Sequence, residues 1–330
     1  MSEALYFLAG DIGGTHTRLL LARVEGRAAP QTVHRAIYPS SEYDALDPIL
    51  MEFLLDAPDL DGACLAVAGP VITEEEGRQH VRLTNLDWHL DSRLLAERFE
   101  LDTLRLINDV EAIGHGLAAL GKGDVETLQA GRPRGEGVRA VLAVGTGLGQ
   151  AIVVTRAAHR RRRVQVIPGE AGHRDFAPAN LHEVQLWEWL HGHYGRATWE
   201  HCLSGPGLLD LYRFCANEQC MQAPPRHEPA AITAAAMNDS DPVAVAALDL
   251  FVGLYASAAA NLALACLPRG GLYLGGGIAP QILARLRQPD FLAHFLHKAP
   301  MEHLLREIPL HVITHDSPGL LGALQVAQEE

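Results

Sequence analysis

Two glycine-rich turns are the segments of this chain best suited to bind phosphate. They occupy residues 11–18 (Asp-Ile-Gly-Gly-Thr-His-Thr-Arg) and 145–150 (Gly-Thr-Gly-Leu-Gly-Gln), and an apolar run precedes and follows each. Glycine has no Cβ to block an anion, and consecutive backbone N–H groups form a concave anion site. Two such turns facing each other across a cleft could hold the phosphates of one nucleotide. The candidate ligands are Gly13, Gly14, Thr15, Gly145, Thr146 and Gly147.

Asp109 is the candidate general base. Transfer of a phosphoryl group to an alcohol needs positioned phosphates, a divalent cation and a carboxylate that takes the hydroxyl proton. Asp109 follows the apolar run 104–107, so it would project from the end of a strand, and Asn108 beside it could bind a hydroxyl of the substrate. From this dipeptide alone, a helix N-cap is the favoured interpretation. The two glycine turns favour the catalytic interpretation.

Asp11 is the candidate metal ligand. It lies at the start of the first turn, where Mg²⁺ would bridge phosphate oxygens, so we expect it to hold the ion through water. The alternative is a turn aspartate that hydrogen-bonds its own backbone.

Three further segments could contact a substrate. Glu170 and His173 lie on a glycine-flanked loop and could bind vicinal hydroxyls. Glu200 precedes a Leu-Ser-Gly-Pro-Gly turn at 203–207, but its local sequence alone is typical of a surface carboxylate. Residues 275–277 are three consecutive glycines after a strand-like run.

The elements that must position these residues alternate as in an α/β protein. Predicted strands cover 5–9, 19–24, 63–68, 104–107, 141–144 and 151–154, and predicted helices cover 43–55, 92–99, 110–120, 208–215 and 319–328. Residues 71–89 are too polar for a core helix, Arg160 to Arg163 are predicted as a hairpin turn, and 223–229 as a loop. Ser317 and Pro318 are predicted to cap the last helix.

Composition restricts the class of protein. The chain has 330 residues, of which 48% are hydrophobic and 20% charged, which is typical of a soluble protein of about two domains. Its net charge of −13 argues against nucleic-acid and membrane partners. The five cysteines form no Cys-x-x-Cys pair, and no signal-peptide pattern opens the chain, so we expect a cytoplasmic protein. Residues 243–267 are long and apolar enough for a membrane span, but their alanine content, Asp249 and Asn261 favour a buried core helix.

In this order, the motifs resemble those of the bacterial ATP-dependent glucokinase family, of the hexokinase-like, actin-type ATPase superfamily. The matching segments are residues 11–18, 84–88, 107–109, 145–149, 169–178, 200 with 203–207, and 275–280. The resemblance implies that Asp109 is the catalytic base at the sugar 6-hydroxyl. The sugar ligands that it implies are Asn85, Asn108, Asp109, Glu170, His173 and Glu200, and the nucleotide ligands are Asp11, Gly13, Gly14, Thr15, Gly145, Thr146, Gly147, Gly275, Gly276 and Gly277.

The resemblance also implies a fold of two actin-like, ribonuclease H-like α/β domains separated by a cleft that closes on the sugar. The small domain would comprise residues 1–119 with the returning helix at 316–330, and the large domain residues 120–315. Glucose, ATP and Mg²⁺ would be the ligands, a homodimer the assembly, and glycolysis the setting.

The chain departs from the family at Ala171, where members typically have glycine. It also lacks the cysteine-rich zinc motif and the helix-turn-helix segment of the related sugar-responsive repressors, which argues against a DNA-binding regulator. Open alternatives are another hexose such as mannose or an amino sugar, ADP or polyphosphate as donor, and a glucose-binding sensor without turnover. Retention of Asp11, Asp109 and both turns favours an enzyme.

Overall fold

The computed structural model describes residues 4–26, 28–84, 86–158, 161–218 and 228–329, with the backbone alone at 157, 158, 161 and 162. The chain divides into two compact units. Unit 1 comprises Met1–Gly121 and His315–Glu330, and unit 2 comprises Lys122–Thr314. Both are mixed α/β, which confirms the predicted fold class.

The strands are β1 (Ala4–Ile12), β2 (His16–Glu25), β3 (Gln31–Pro39), β4 (Gly62–Val67), β5 (Ile72–Thr73), β6 (Gln79–Arg82), β7 (His89–Asp91), β8 (Leu104–Asn108), β9 (Val125–Gln129), β10 (Arg139–Val144), β11 (Leu148–Ala158), β12 (Arg161–Gly169), β13 (Gly271–Gly275) and β14 (Leu310–Ile313). The helices are α1 (Leu46–Phe53), α2 (Ser92–Arg98), α3 (Asp109–Gly116), α4 (Leu181–Tyr194), α5 (Trp199–Cys202), α6 (Gly205–Glu218), α7 (Pro229–Met237), α8 (Pro242–Cys266), α9 (Ile278–Gln281), α10 (Leu283–Leu286), α11 (Pro289–Leu296), α12 (Glu302–Leu305) and α13 (Pro318–Ala327).

Unit 1 is built on a sheet of order β3-β2-β1-β4-β8. Strands β1 to β3 are antiparallel, and β4 and β8 are parallel to β1. Side chains alternate between the two faces along each strand. In β1, Leu8 belongs to the hydrophobic cluster that includes α1, whereas Phe7 and Ala9 belong to the cluster that includes α13. The two faces of the sheet are therefore both covered by helices.

Unit 2 repeats this topology with a sheet of order β12-β11-β10-β13-β14-β9. Strands β10 to β12 form an antiparallel meander, and β13 and β14 run parallel to β10. In both units a glycine turn joins the first two strands of the antiparallel meander, β1 to β2 in unit 1 and β10 to β11 in unit 2, at the edge where the parallel strands end. The predicted hairpins at 11–18 and 145–150 are thus confirmed.

Helix α8 forms the centre of the unit 2 core, as predicted. Asp241 is its N-cap and accepts hydrogen bonds from the N–H groups of Val243 and Ala244. Phe251 and Tyr255 are fully buried, and the Tyr255 hydroxyl donates to carbonyl oxygens of β10 and β13. Among the described helices, only α8 is long and apolar enough to cross a membrane, but 67% of its most apolar stretch is buried within the protein.

Several predicted boundaries in unit 1 were wrong. The helix expected at 43–55 begins at Leu46, because Ser40–Glu42 form a 3₁₀ turn and Tyr43 is extended. The helix expected at 110–120 ends at Gly116. Residues 72–91 contain the small antiparallel sheet β5-β6-β7, whose strands were not predicted because two of them have only two or three residues.

Other corrections concern turns and caps. Arg161 to Arg163 lie in strand β12, paired with residues 158 to 156, because a backbone ladder can continue beyond the apolar part of a hairpin; Arg160 is outside the described residues. Residues 223–227 of the loop expected at 223–229 are also outside the described residues, whereas Glu228 is the N-cap of α7 and Pro229 is its first residue. Ser317 occupies the N-cap position of α13, but its hydroxyl accepts a hydrogen bond from Arg35 and caps no helix N–H.

Candidate active site

The first glycine turn is fixed by Ser40, a fully buried residue after β3. The Ser40 hydroxyl donates to the Gly13 carbonyl oxygen (2.8 Å), and its backbone N–H donates to the Thr15 carbonyl oxygen (3.0 Å). The buried Thr17 hydroxyl lies 3.0 Å from the Ser40 hydroxyl. The carbonyl groups of Gly13 and Thr15 are thus directed towards Ser40, which sets the orientation of the peptide planes between them.

Asp11 lies at the end of β1 beside the first turn of α13. A Cβ added to Gly319 would lie 3.7 to 3.8 Å from the Asp11 carboxylate atoms. The guanidinium of Arg18 is 3.8 Å from one carboxylate oxygen, and the Asp11 side chain is 23% exposed. Burial raises the pKa of Asp11, and Arg18 opposes that shift without cancelling it. A partly accessible carboxylate whose charge is incompletely compensated fits a divalent cation.

Asp109 lies at the same sheet edge as Asp11. Asp11 is opposite Ala66 in the β1–β4 pair, and Ala66 is opposite Ile107 in the β4–β8 pair. Neighbouring strands are about 4.8 Å apart, so two strand spacings separate Asp11 from the end of β8 by about 10 Å. Asp109 is the first residue of α3 and is partly exposed. Unit 1 therefore presents the first glycine turn, Asp11 and Asp109 along one edge.

Asn108 is the N-cap of α3, so the capping alternative considered from sequence is confirmed. Its Oδ1 accepts from the N–H of Val110 (2.9 Å), and Glu111 completes a capping box by accepting from the Asn108 N–H (3.4 Å). Its Nδ2 donates to the Gly69 carbonyl oxygen after β4 (3.2 Å). The amide group has a second N–H on Nδ2, so capping and a substrate contact are compatible.

In unit 2 the second glycine turn lies directly beside the glycines at 275–277. Gly275 is opposite Ala143 in the β10–β13 pair. Gly276 has φ of +83°, and a Cβ there would lie 2.2 Å from the Val144 carbonyl oxygen, so only glycine fits. A Cβ on Gly145 would lie 3.9 Å from the Gly277 nitrogen. The two candidate nucleotide segments of unit 2 therefore form one glycine-lined surface.

The loop at 169–173 packs against the same turn. Glu170 and His173 are exposed; Glu170 precedes the 3₁₀ helix Ala171–His173, and His173 is its last residue. A Cβ on Gly172 would lie 2.4 Å from the Leu148 carbonyl oxygen, so this contact requires glycine. Ala171 is only 6% exposed, so its methyl group, the departure from the family pattern, packs inside unit 2.

Arginine side chains and Glu200 hold this region together. Arg196 donates to the His173 carbonyl oxygen (3.0 Å), and Arg174 donates to the Gln150 side chain (3.0 Å). Glu200 accepts from the Leu148 backbone N–H at 2.9 Å, so it lies at the glycine turn and is only partly exposed. Its local sequence had favoured a surface carboxylate.

The candidate ligands thus fall into two groups, one in each unit. Asp11, Gly13, Gly14, Thr15, Asn108 and Asp109 share one sheet edge of unit 1, and Gly145, Thr146, Gly147, Glu170, His173, Glu200, Gly275, Gly276 and Gly277 surround one turn of unit 2. Asn85 lies outside the described residues. In the part of the chain that the structure describes, no cluster of three or more His, Cys, Asp or Glu could hold a metal.

Sequence reasoning missed four positioning groups: the Ser40 hydroxyl, the Gly69 carbonyl, the Leu148 N–H and the Arg196 guanidinium. The Ser40 hydroxyl acts on Gly13, 27 positions away, and the Leu148 N–H acts on Glu200, 52 positions away. A serine or a backbone amide at such a distance has no local signal in a single sequence. Only the fold brings these groups to the turns.

The fold places the chain in the class of sugar kinases. A glucokinase crystal structure from an Antarctic psychrotroph matches it with a TM-score of 0.84 and 30% identity, covering 98% of this chain and 99% of that one. A glucokinase from Balamuthia mandrillaris, solved in complex with glucose, matches with a TM-score of 0.81 and 26% identity, covering 99% and 94%.

Sequence comparison identifies the family. The glucokinase family model matches residues 8–330. A glucokinase of Nostoc sp. is 38% identical over 340 residues, covering 96% of this chain and 97% of the relative, and one of Synechocystis sp. is 37% identical, covering 98% of both. The chain belongs to the glucokinase family, and the resemblance inferred from the order of its motifs is confirmed.

Proposed function

We propose that this protein transfers the γ-phosphoryl group of ATP to the 6-hydroxyl of D-glucose, giving glucose 6-phosphate and ADP. Membership of the glucokinase family supports this reaction. The observation that carries it is the position of Asp109, which begins α3 at the sheet edge that also bears the first glycine turn and Asp11.

In the proposed reaction, Asp109 accepts the proton of the 6-hydroxyl while that oxygen forms a bond to the γ-phosphorus. The bond between the γ-phosphorus and the bridging oxygen breaks, and its electron pair leaves with ADP. Backbone N–H groups of the glycine turns hold the phosphates, because such donors stabilise charge at no cost in reorganisation. Asp11 would hold Mg²⁺ through water, and the ion would neutralise phosphate charge.

The glucose hydroxyls are assigned to Asn108, Glu170, His173 and Glu200, with Asn85 as a further ligand from the family pattern. The exposure of Glu170 and His173 supports their part of this assignment, as does the fixing of their loop by Arg174 and Arg196. A carboxylate accepts from hydroxyl groups and an imidazole either donates or accepts, so the set can pair with neighbouring hydroxyls.

Substrate and donor are tested together in a coupled assay of ADP release. Wild-type protein with Mg-ATP is assayed against glucose, mannose, fructose, glucosamine and N-acetylmannosamine, and glucose is then assayed with ADP or polyphosphate as donor. We expect the highest kcat/KM for glucose as substrate with ATP as donor. A higher value for another hexose would reassign the substrate, and glucose binding without turnover by any donor would favour the sensor.

We also propose a cytoplasmic homodimer. The location is supported by the cysteines that the structure describes, all of which are free thiols. The dimer rests on the family resemblance alone. Light scattering coupled to size-exclusion chromatography measures it directly, and a mass of one chain, 35.7 kDa, at micromolar concentration would contradict it.

A further inference from the structure

Glu200 is bonded to the second glycine turn as well as lying near the loop at 169–173. Its Oε2 accepts the Leu148 backbone N–H at 2.9 Å. A Cβ on Gly147 would lie 2.6 Å from that oxygen, and a Cβ on Gly172 would lie 3.2 Å from it. Two glycines from two different segments therefore leave the space that this carboxylate occupies.

The backbone that carries Glu200 is itself rigidly attached to the turn. The Gly205 N–H donates to the Gly145 carbonyl oxygen (2.8 Å), so residues 200–205 contact the turn at both of its ends. The Ser204 hydroxyl donates to the Glu200 carbonyl oxygen (2.7 Å) and accepts from the Gly207 N–H (2.9 Å). Ser204 is 2% exposed, so these bonds are shielded from water. The backbone that carries the Glu200 carboxylate is thus held in a fixed position relative to the turn.

The same segment is also joined to the loop at 169–178. The Trp199 N–H donates to the Arg174 carbonyl oxygen (3.1 Å), and the Phe176 N–H donates to the Ala197 carbonyl oxygen (3.0 Å). Phe176 and Trp199 are buried and their rings pack edge to face with centroids 5.1 Å apart. The segment that contains Glu200 is therefore hydrogen-bonded both to the glycine turn and to the loop at 169–178.

We propose that Glu200 is a positioning residue for nucleotide binding, in addition to the sugar contact assigned above, and this rests on the proposed function. Its Oε2 holds the Leu148 N–H and so maintains the conformation of Gly145 to Gly147 in which backbone N–H groups receive phosphate. Its Oε1 is left to bind a sugar hydroxyl. A hydrogen bond to a charged acceptor is stronger than a neutral one, so removing it releases the turn.

The test separates the two roles by measuring nucleotide affinity without sugar. Isothermal titration of Mg-AMPPNP is performed on wild type, Glu200→Ala, Glu200→Gln and His173→Ala. We expect Glu200→Ala to bind the nucleotide about ten-fold more weakly. Glu200→Gln keeps an acceptor oxygen for the Leu148 N–H, so its nucleotide affinity stays within about three-fold of wild type. His173→Ala is the matched control on the neighbouring loop, and its nucleotide affinity is unchanged while glucose binding weakens.

Two further measurements keep the proposal testable if Glu200→Ala is unstable. Glu200→Asp shortens the side chain by one methylene group, which withdraws the carboxylate from the Leu148 N–H while keeping its charge, so the same loss of nucleotide affinity is expected. Backbone hydrogen exchange of residues 145–149 in the ligand-free protein should be faster in Glu200→Ala than in Glu200→Gln. Wild-type nucleotide affinity and wild-type exchange in Glu200→Ala would overturn the proposal. Because neither measurement uses sugar, failure of the glucokinase assay is distinguished from failure of this inference.

Discussion

Gly322 of α13 lies against the Ala112 carbonyl oxygen of α3 so closely that a Cβ at residue 322 would come within 1.6 Å of that oxygen. On the facing side, a Cβ on Gly116 would come within 2.5 Å of the Pro318 carbonyl oxygen. Helix α3 begins with Asp109, and the first turn of α13 adjoins Asp11. One glycine-mediated contact therefore joins the helix that begins with the proposed base to the helix whose first turn adjoins the proposed metal ligand.

Substitution of Gly322 by alanine should separate these helices. Overpacking costs about 1–3 kcal/mol and sometimes more, and backbone atoms here cannot move aside as a side chain would. We expect the free energy of unfolding in urea to fall by about 3 kcal/mol and turnover to fall with it. Gly192→Ala in α4 is the control: nothing lies within 4 Å of its added Cβ, so stability should rise by up to about 1 kcal/mol. Equal stability of Gly322→Ala and wild type would show that the helices are not held by this contact.

Asp11→Asn should stabilise the ligand-free protein and impair the enzyme. Because burial raises the pKa of Asp11, the folded state disfavours its charged form. Removing the charge should raise the free energy of unfolding at pH 7 by about 1 kcal/mol, while the weaker metal ligand lowers turnover with Mg-ATP. Denaturant unfolding without ligands and steady-state kinetics measure the two effects. Lower stability of the variant would contradict the described environment of Asp11.

The pH dependence of that stability difference has a definite sign. A carboxyl whose pKa is raised above the ordinary 3.8 favours the folded state when protonated, and this contribution is lost as pH rises through the folded-state pKa. The advantage of Asp11→Asn should therefore be small near pH 4 and grow towards neutral pH. An advantage that shrinks as pH rises would contradict this reasoning.

His115 should make the protein sensitive to acid. It is 9% exposed on α3, and burial together with nearby Arg105 lowers its pKa from 6.5 to about 4. Between pH 6.5 and about pH 4 this histidine is protonated in the unfolded chain but neutral in the folded protein. The free energy of unfolding therefore falls by up to about 3 kcal/mol as the pH is lowered from 6.5 to about 4. His115→Gln should flatten this part of the profile, whereas the exposed His191→Gln should not. Parallel profiles for wild type and His115→Gln would show that His115 is not the cause.

Asn108 combines a structural and a functional role that two substitutions can separate. Asn108→Ala removes the N-cap of α3 and should cost about 1 kcal/mol of stability, whereas Asn108→Ser keeps a capping oxygen and should retain most of it. Both lose the amide N–H groups, so both should raise the KM for glucose. An unchanged KM in the serine variant would limit Asn108 to capping.

Many of the turns and helices of this protein could be predicted from local sequence patterns. Glycine turns between apolar runs, a buried alanine-rich helix after Asp241 and Pro242, and a helix beginning near Asp109 all depend on neighbours in the chain. The order of the motifs then identified the family, because many short patterns in one sequence order are far more specific than any single pattern.

Contacts between distant segments could not be read in this way. The local sequence of Glu200 is typical of a surface carboxylate, but the fold places its carboxylate 2.9 Å from the Leu148 nitrogen. The local sequence of Ser317 is typical of a helix cap, but its hydroxyl accepts a hydrogen bond from Arg35. The arginines at 161–163 were predicted to form a turn because their side chains are polar. They lie in a strand instead, and backbone hydrogen bonds, which do not depend on side-chain type, make that pairing. Tertiary hydrogen bonds thus decided the details that local propensity left open.

The most direct test of the central claim compares wild type with Asp109→Asn in the coupled assay with glucose and Mg-ATP, with glucose affinity measured by titration. The amide has almost the shape of the carboxylate but cannot take the hydroxyl proton. We expect turnover to fall at least ~10²-fold while the dissociation constant for glucose stays close to that of wild type. Turnover near the wild-type rate in Asp109→Asn would remove Asp109 from the role of base.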